Sequence, residues 1–173
     1  MLTPLIFPPE SGVCMPVSVL FVCLGNICRS PAAQGILEKR INDAGLHQQI
    51  RVDSCGTAAF NVGKPPDARS QSASARAGYD ISAQVARQIC DEDYEQFDYI
   101  IAMDRINLTN VESWAPKDYA GELNLFMHYC KNGGNTQIPD PYYKDADAFD
   151  GVIASLEKAA DGLLAHIRNK HGI

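Results

Sequence analysis

A cysteine and an arginine lie six positions apart in the segment Cys23-Leu-Gly-Asn-Ile-Cys-Arg29. The residues between them form a loop long enough to wrap around a tetrahedral oxyanion, because Gly25 can adopt a positive φ and Asn26 can tolerate one. The arginine closes the ring as a bidentate donor to two oxygens of the anion. The positive charge of this loop favours the thiolate form of Cys23, which is a nucleophile when a phosphoryl group is bound beside it.

The elements on both sides of the loop support this interpretation. Residues 17–22 form a short apolar run, typical of a buried parallel strand, that ends at Cys23. The carboxyl edge of an open α/β sheet is where such folds bind ligands. Ser30 is a good N-cap and Pro31 a good first helical residue, so the positive end of the helix would face the anion. A buried structural cysteine near a surface arginine is the alternative interpretation.

The rest of the chain alternates strands and helices. Residues 50–54, 98–103 and 123–126 are predicted to be strands, and an apolar stripe over residues 149–167 predicts a long final helix. Alternation of this kind implies right-handed crossovers between parallel strands. We therefore predict an α/β fold: a single domain with a four-stranded parallel sheet, helices on both faces, and a phosphate-binding loop after the first strand.

Composition and length bound the function. The chain has 173 residues, 46% of them hydrophobic, which suits one globular domain, and we assign residues 17–173 to it. Residues 1–16 are expected to be a flexible N-terminal extension, too short and proline-rich for a signal or membrane segment. The formal net charge of −6 argues against nucleic acid as a partner. Scattered cysteines without a secretory signal indicate a cytoplasmic protein.

Neither a metal site nor a cofactor site is predicted. The six cysteines and four histidines form no Cys-x2-Cys or His-x3-His pair of the kind that binds zinc. The first strand is followed by no Gly-x-Gly-x-x-Gly, so a dinucleotide is not expected either.

Residues 22–31 resemble the signature loop of the low-molecular-weight protein tyrosine phosphatases. The similarity spans nearly the whole chain from about residue 17 and includes the segments 53–57, 63–69, 78–82, 99–104 and 140–143. The resemblance implies a cytoplasmic, cofactor-independent phosphatase that acts on protein phosphotyrosine through a cysteinyl-phosphate. Its partners would be phosphotyrosine-containing proteins, with a cognate tyrosine kinase as a further candidate, and it would be a monomer or weak dimer.

The resemblance also implies roles for individual residues. Cys23 would be the nucleophile and Arg29 the phosphate clamp, within a phosphate-binding loop made of Leu24, Gly25, Asn26, Ile27, Cys28 and Arg29. Pro-Asp140-Pro is by itself most simply a stiff turn, but the resemblance makes Asp140 the general acid and base. Ser54 would hold Asn26 in a strained conformation.

Two further expectations concern the loop. Ser30 can cap the helix and can also donate its hydroxyl proton to stabilise the Cys23 thiolate as it leaves. Cys28 is close enough to Cys23 on a curled loop for the two to form a reversible disulfide that protects the nucleophile, although it can equally be a small apolar loop residue.

Four residues are expected to contact the substrate. The resemblance places Phe60 on one wall of the cleft, at least one of Tyr142 and Tyr143 on the other, and Ile27 in the loop between them. Many relatives have Trp followed by His where this chain has Phe60-Asn61, so the substrate preference is open at this point.

Three alternatives remain. Thiol-dependent arsenate reductases have a similar fold and loop. A resemblance to them would imply a relay through two further cysteines that are close together, whereas Cys90 is alone in that part of the chain. Protein-arginine phosphatases look similar but carry Thr where this chain has Ile27. A phosphate-binding module without turnover is disfavoured because both the candidate nucleophile and the candidate acid are present.

Overall fold

The computed structural model describes residues 14–132 and 136–173. It contains one sheet of four parallel strands, in the order β2-β1-β3-β4. The strands are β1 (Val17–Cys23), β2 (Ile50–Gly56), β3 (Tyr99–Ala102) and β4 (Glu122–Leu125). The predicted single-domain α/β fold with a four-stranded parallel sheet is confirmed. Most of the proposed N-terminal extension, residues 1–13, lies outside the described residues.

The strand limits differ from the prediction because hydrogen-bonded pairing with the neighbouring strand sets them, and not the residue types of the strand itself. β2 continues through Cys55 and Gly56, since these residues pair in register with Val22 and Cys23 of β1. β3 is shorter than predicted at both ends, and β4 begins one residue earlier, where Glu122 pairs with Tyr99.

Five α-helices and one 3-10 turn connect the strands within the described residues. The helices are α1 (Arg29–Asp43), α2 (Ala68–Arg76), α3 (Asp93–Gln96), α4 (Arg105–Trp114) and α5 (Ala146–His171), and the 3-10 turn is Phe126–Tyr129. Asp67 and Asp104 cap α2 and α4, each accepting a hydrogen bond from a backbone N–H of the first turn. None of these helices has the length and apolar character needed to cross a bilayer.

Side chains of the central strand alternate between two hydrophobic clusters, one on each face of the sheet. Val19 and Phe21 pack in a cluster with α1 and α5, while Leu20 and Val22 pack with residues from α3 and α4. Both faces are therefore covered by helices, as predicted, and the strand is buried throughout except at its first residue.

The carboxyl edge of the sheet collects the loops that form the site. Cys23 ends β1, and Asp104 lies two residues after β3. The Met103 N–H donates to the Val22 carbonyl at 3.1 Å, and the Ile138 N–H donates to the Met103 carbonyl at 2.9 Å. These bonds bring the segment that precedes Asp140 to the same edge.

Two glycines of α5 provide a test of the packing between this helix and the 3-10 turn. A Cβ on Gly162 would lie 1.9 Å from the Tyr129 carbonyl oxygen, whereas a Cβ on Gly151 would contact nothing within 4 Å. Gly162→Ala should reduce the free energy of unfolding by about 1–3 kcal/mol, because backbone must move to admit the methyl group. Gly151→Ala, the matched control, should raise it by up to about 1 kcal/mol, as expected in a helix interior. Urea denaturation of both variants measures the two effects, and equal behaviour would contradict the close packing.

Candidate active site

The loop after β1 has its carbonyl groups engaged and its N–H groups available. Five carbonyls accept hydrogen bonds from other residues: Cys23 from Thr57 N, Leu24 from Ala58 N, Gly25 from Asn61 Nδ2, Ile27 from Asp67 N, and Cys28 from Ser70 Oγ. Their distances run from 2.8 to 3.3 Å. Within the described residues, no acceptor is bound by the backbone N–H groups of residues 24–28. Unpaired backbone donors just before a helix N-terminus are an arrangement that can bind an anion.

Asn26 carries the strain of this loop. Its φ is 53°, the one positive φ at a non-glycine residue within the described residues. Its amide donates to Ser30 Oγ at 2.8 Å and to Ser54 Oγ at 3.0 Å, and its Oδ1 accepts from the Arg87 N–H at 3.0 Å. These three bonds offset a backbone cost of about 1–3 kcal/mol.

Gly25 is needed for close approach and not for a positive φ. A Cβ at this position would lie 2.6 Å from Asn61 Nδ2, the group that donates to the Gly25 carbonyl. The sequence allowed a positive φ at Gly25 or at Asn26, and in the structure Asn26 adopts it.

Ser30 is not the N-cap of α1, and that prediction was wrong. The helix begins at Arg29, with Cys28 in the cap position and no side-chain capping bond. The Ser30 hydroxyl instead lies 3.0 Å from Cys23 Sγ and 3.2 Å from the Cys55 carbonyl oxygen. Because it already accepts from Asn26, its single proton can go to the sulfur or to the carbonyl. A thiolate at Cys23 would accept this hydrogen bond in preference to the carbonyl, because it is the stronger acceptor.

Arg29 is a buried cation held by two carboxylates. Its guanidinium is only 2% exposed, and its Nη1 donates to Asp104 Oδ2 at 2.7 Å and to the Ile138 carbonyl at 3.0 Å. Its Nη2 is 3.4 Å from Asp140 Oδ2. Burial disfavours the charged form, but Cys23, Asp104 and Asp140 outweigh burial, so the pKa of Arg29 is raised and the cation persists at any accessible pH.

Asp104 was not anticipated as a partner of Arg29. It also caps α4 through its Oδ1, which accepts from the Asn107 N–H at 2.8 Å. The available signal was its position directly after the third strand, at the edge where Cys23 also lies.

Asp140 lies across the cleft from the loop. Its Oδ1 accepts from the Tyr142 N–H at 3.1 Å, and its side chain is 40% exposed. Proton exchange with a bound molecule or with water is therefore open to it, unlike a fully buried carboxyl.

The cleft has a volume of about 260 Å³ and combines most of the predicted residues. It is lined by Cys23, Leu24, Gly25, Ile27, Cys28, Arg29, Phe60, Asn61, Asp140, Tyr142 and Tyr143. Asn61 is the lining residue that the sequence did not indicate. The side chains of Asn26, Ser30 and Ser54 do not line the cleft; the Asn26 amide donates to both hydroxyls, and these bonds fix the shape of the loop.

Three aromatic side chains line the cleft. Phe60 is 64% exposed, and the ring centroids of Tyr142 and Tyr143 lie 4.8 Å apart in an edge-to-face arrangement. Exposed rings beside the loop suit a flat, apolar group attached to an anion.

Cys28 is a buried free thiol on the same cleft. Burial raises its pKa, and the nearby Asp67, Cys23 and Asp140 raise it further, so it is a neutral thiol at physiological pH. Its reversible disulfide with Cys23 stays a prediction.

Comparisons with known proteins agree with this geometry. The family model described as low molecular weight phosphotyrosine protein phosphatase matches residues 18–172. The human low molecular weight phosphotyrosine protein phosphatase is 43% identical over 152 residues, which cover 82% of this chain and 95% of the human protein.

Solved structures give the same result. The crystal structure of YfkJ from Bacillus subtilis superposes with a TM-score of 0.85 at 35% identity and covers 92% of this chain and 99% of its own. A Drosophila arginine phosphatase superposes with a TM-score of 0.81 at 32% identity, covering 87% and 97%. The chain therefore belongs to the low molecular weight phosphotyrosine protein phosphatase family and is a phosphatase.

Proposed function

We propose that this protein hydrolyses phosphotyrosine in proteins through a cysteinyl-phosphate intermediate. The observation that carries the proposal is the joint lining of one cleft by Cys23, Arg29 and Asp140, at a loop whose N–H groups are unpaired. A phosphoryl group in that loop would receive the N–H donors on its oxygens and the guanidinium of Arg29 beside them.

In the first step, Cys23 Sγ attacks phosphorus and the bond from phosphorus to the phenolic oxygen breaks. The Asp140 carboxyl gives its proton to the departing oxygen, so that tyrosine leaves as a neutral phenol. Asp140 lines the cleft and its side chain is partly exposed, which is consistent with contact to the leaving group.

In the second step, the Asp140 carboxylate removes a proton from water, and the water oxygen attacks phosphorus. The sulfur–phosphorus bond breaks and Cys23 leaves as a thiolate. The Ser30 hydroxyl, at 3.0 Å from the sulfur, donates a hydrogen bond to that thiolate, which lowers the barrier to its departure.

Phosphotyrosine is favoured over phosphoarginine by the lining of the cleft. Phe60, Tyr142 and Tyr143 offer rings for a phenyl group to stack on, and Ile27 offers an apolar surface without a hydroxyl. The Drosophila neighbour makes phosphoarginine the competing substrate. Arsenate reduction lacks a comparable basis, because Cys90 lies outside the cleft, in a separate depression near Arg51 and Asp93.

Replacement of the nucleophile separates binding from turnover. Cys23→Ser should abolish hydrolysis of a phosphotyrosine peptide but keep affinity for inorganic phosphate, because the loop N–H groups and Arg29 remain. Cys90→Ser, an exposed cysteine outside the cleft, should keep full activity as the control. Rapid acid quenching of wild type with radiolabelled substrate should trap phosphate on Cys23, and a label on any other residue would refute the mechanism.

The role of Asp140 is tested by the leaving group. Asp140→Ala should lower kcat/KM for phenyl phosphate by about 10²–10⁴-fold, the usual contribution of a general acid. This parameter reports the first step and not the hydrolysis of the cysteinyl-phosphate, which is the same for every substrate. p-Nitrophenyl phosphate, whose leaving group departs without a proton, should lose much less. Asp147→Ala, at an exposed position in the first turn of α5, is the control and should change neither rate. Equal losses on the two substrates would mean that Asp140 is structural.

Substrate class is tested at Ile27. Wild type should hydrolyse a phosphotyrosine peptide faster than a matched phosphoarginine peptide, and Ile27→Thr should shift the ratio of kcat/KM toward phosphoarginine by about tenfold. Val62→Thr, the control, likewise replaces a β-branched aliphatic side chain by Thr, at an exposed position that does not line the cleft. A wild-type preference for phosphoarginine would overturn the tyrosine assignment while leaving the loop chemistry intact.

A further inference from the structure

Two arginines attach the segment that carries Asp140 to the rest of the protein. Within the described residues, residues 139–143 make two hydrogen bonds to other parts of the chain: Arg29 Nη2 to Asp140 Oδ2 at 3.4 Å, and Arg69 Nη1 to the Tyr142 carbonyl at 2.9 Å. Arg29 belongs to the phosphate loop. Arg69 lies in the first turn of α2, outside the cleft lining, and the mechanism above gives it no role.

Arg69 is fixed on several sides. Asp67 accepts from its Nε at 3.1 Å and from its Nη2 at 3.0 Å. Its guanidinium faces the ring of Tyr142, with 5.3 Å from Cζ to the ring centroid, and the ring of Phe149 at 4.7 Å. Only a planar guanidinium can donate to both the Asp67 carboxylate and the Tyr142 carbonyl while it stacks on two rings. A lysine ammonium at position 69 could not make all of these contacts.

The same helix start supports the phosphate loop. The Asp67 N–H donates to the Ile27 carbonyl at 2.8 Å, and Ser70 Oγ donates to the Cys28 carbonyl at 3.0 Å. Arg69 lies between these two donors in sequence. Residues 67–70 therefore bond both to the loop that would hold the phosphate and to the segment that would supply the proton.

When substrate binds, the attachment through Arg69 would become more important for holding the Asp140 segment than the attachment through Arg29. Arg29 can grip two phosphate oxygens only by directing its donors at them, and its 3.4 Å contact with Asp140 is already long for a charge-assisted hydrogen bond. With Arg29 engaged by phosphate, the Arg69 bond to the Tyr142 carbonyl is the remaining hydrogen bond from residues 139–143 to another part of the described chain, beside the Ile138 N–H bond to the Met103 carbonyl that precedes them.

We infer that Arg69 is a positioning residue that holds the Asp140 segment against α2 and so sets the distance from Asp140 to the leaving-group oxygen. The inference rests on the proposed function, because it assigns Arg69 an effect that acts only through proton transfer by Asp140. A misplacement of about 1 Å in such a group can cost about 10²-fold in rate.

The test compares Arg69→Gln and Arg69→Lys in wild type and in the Asp140→Ala background. Arg69→Gln should lower kcat/KM for phenyl phosphate by about 10- to 100-fold and change kcat/KM for p-nitrophenyl phosphate by less than about threefold, because kcat/KM reports the step in which the leaving group departs. Arg69→Lys should show the same substrate selectivity with a smaller loss. Arg76→Gln is the control and should change neither rate. Arg76 lies on the same helix, but it pairs with Asp150 and does not contact the Asp140 segment.

The double mutant separates a positioning role from a structural one. With Asp140 replaced by Ala, Arg69→Gln should cause no further loss on phenyl phosphate, because the two residues act through one step. The inhibition constant of inorganic phosphate should also stay unchanged. Equal losses on both substrates, the same loss in the Asp140→Ala background, or weaker phosphate binding would each overturn the inference.

Failure of the proposed function would look different. If wild type hydrolysed neither substrate, or if Asp140→Ala did not distinguish them, the proposed mechanism would be wrong and the inference with it. If Asp140→Ala distinguishes the substrates and the Arg69 variants do not, only the inference fails. Should Arg69→Gln prove unfolded by circular dichroism, Arg69→Lys, which keeps the charge on the helix, carries the comparison.

Discussion

A buried guanidinium organises this site. Arg29 is almost entirely removed from solvent, and an unpaired charge in that position would cost several kcal/mol. It is stabilised by Asp104, by the Ile138 carbonyl and by Asp140, which come from two segments that are far from it in sequence. Sheet pairing places the end of β3 beside β1, and the need to pair this one cation then joins Asp104 and the segment before α5 to the loop after β1.

The parts of the site that lie within one local segment could be predicted from the sequence. The apolar strand, the Cys23 to Arg29 spacing and the helix after it are adjacent in the chain, and short-range rules describe them well. The overall sheet was predictable for the same reason, because alternating strands and helices leave few topologies. Strand limits were less accurate, since β2 extends as far as β1 offers a partner, which its own composition does not reveal.

Contacts between distant segments could not be predicted in this way. The bond from Arg29 to Asp104 joins residues 75 positions apart, and the periodicity of hydrophobic residues contains no signal for such a contact. Asn61 enters the cleft because its amide reaches the Gly25 carbonyl, which depends on how the loop after β2 packs. Ser30 was assigned to the helix cap by a local rule, yet a buried sulfur, an amide and a carbonyl compete for its hydroxyl, and those tertiary partners decide its role.

Charge balance connects these contacts to the proposed chemistry. The protein has a formal charge of −6, and the one buried cation of the cleft is already faced by two carboxylates. Binding of a phosphate dianion next to a Cys23 thiolate would therefore place an excess of negative charge at the site, which the loop N–H groups can only partly offset. The proposed first step needs a proton on the carboxyl nearest the leaving group, and Asp140 is the more exposed of the two carboxylates that face Arg29. Because that proton leaves with the tyrosine as a neutral phenol, the first step adds no anionic leaving group to this crowded site.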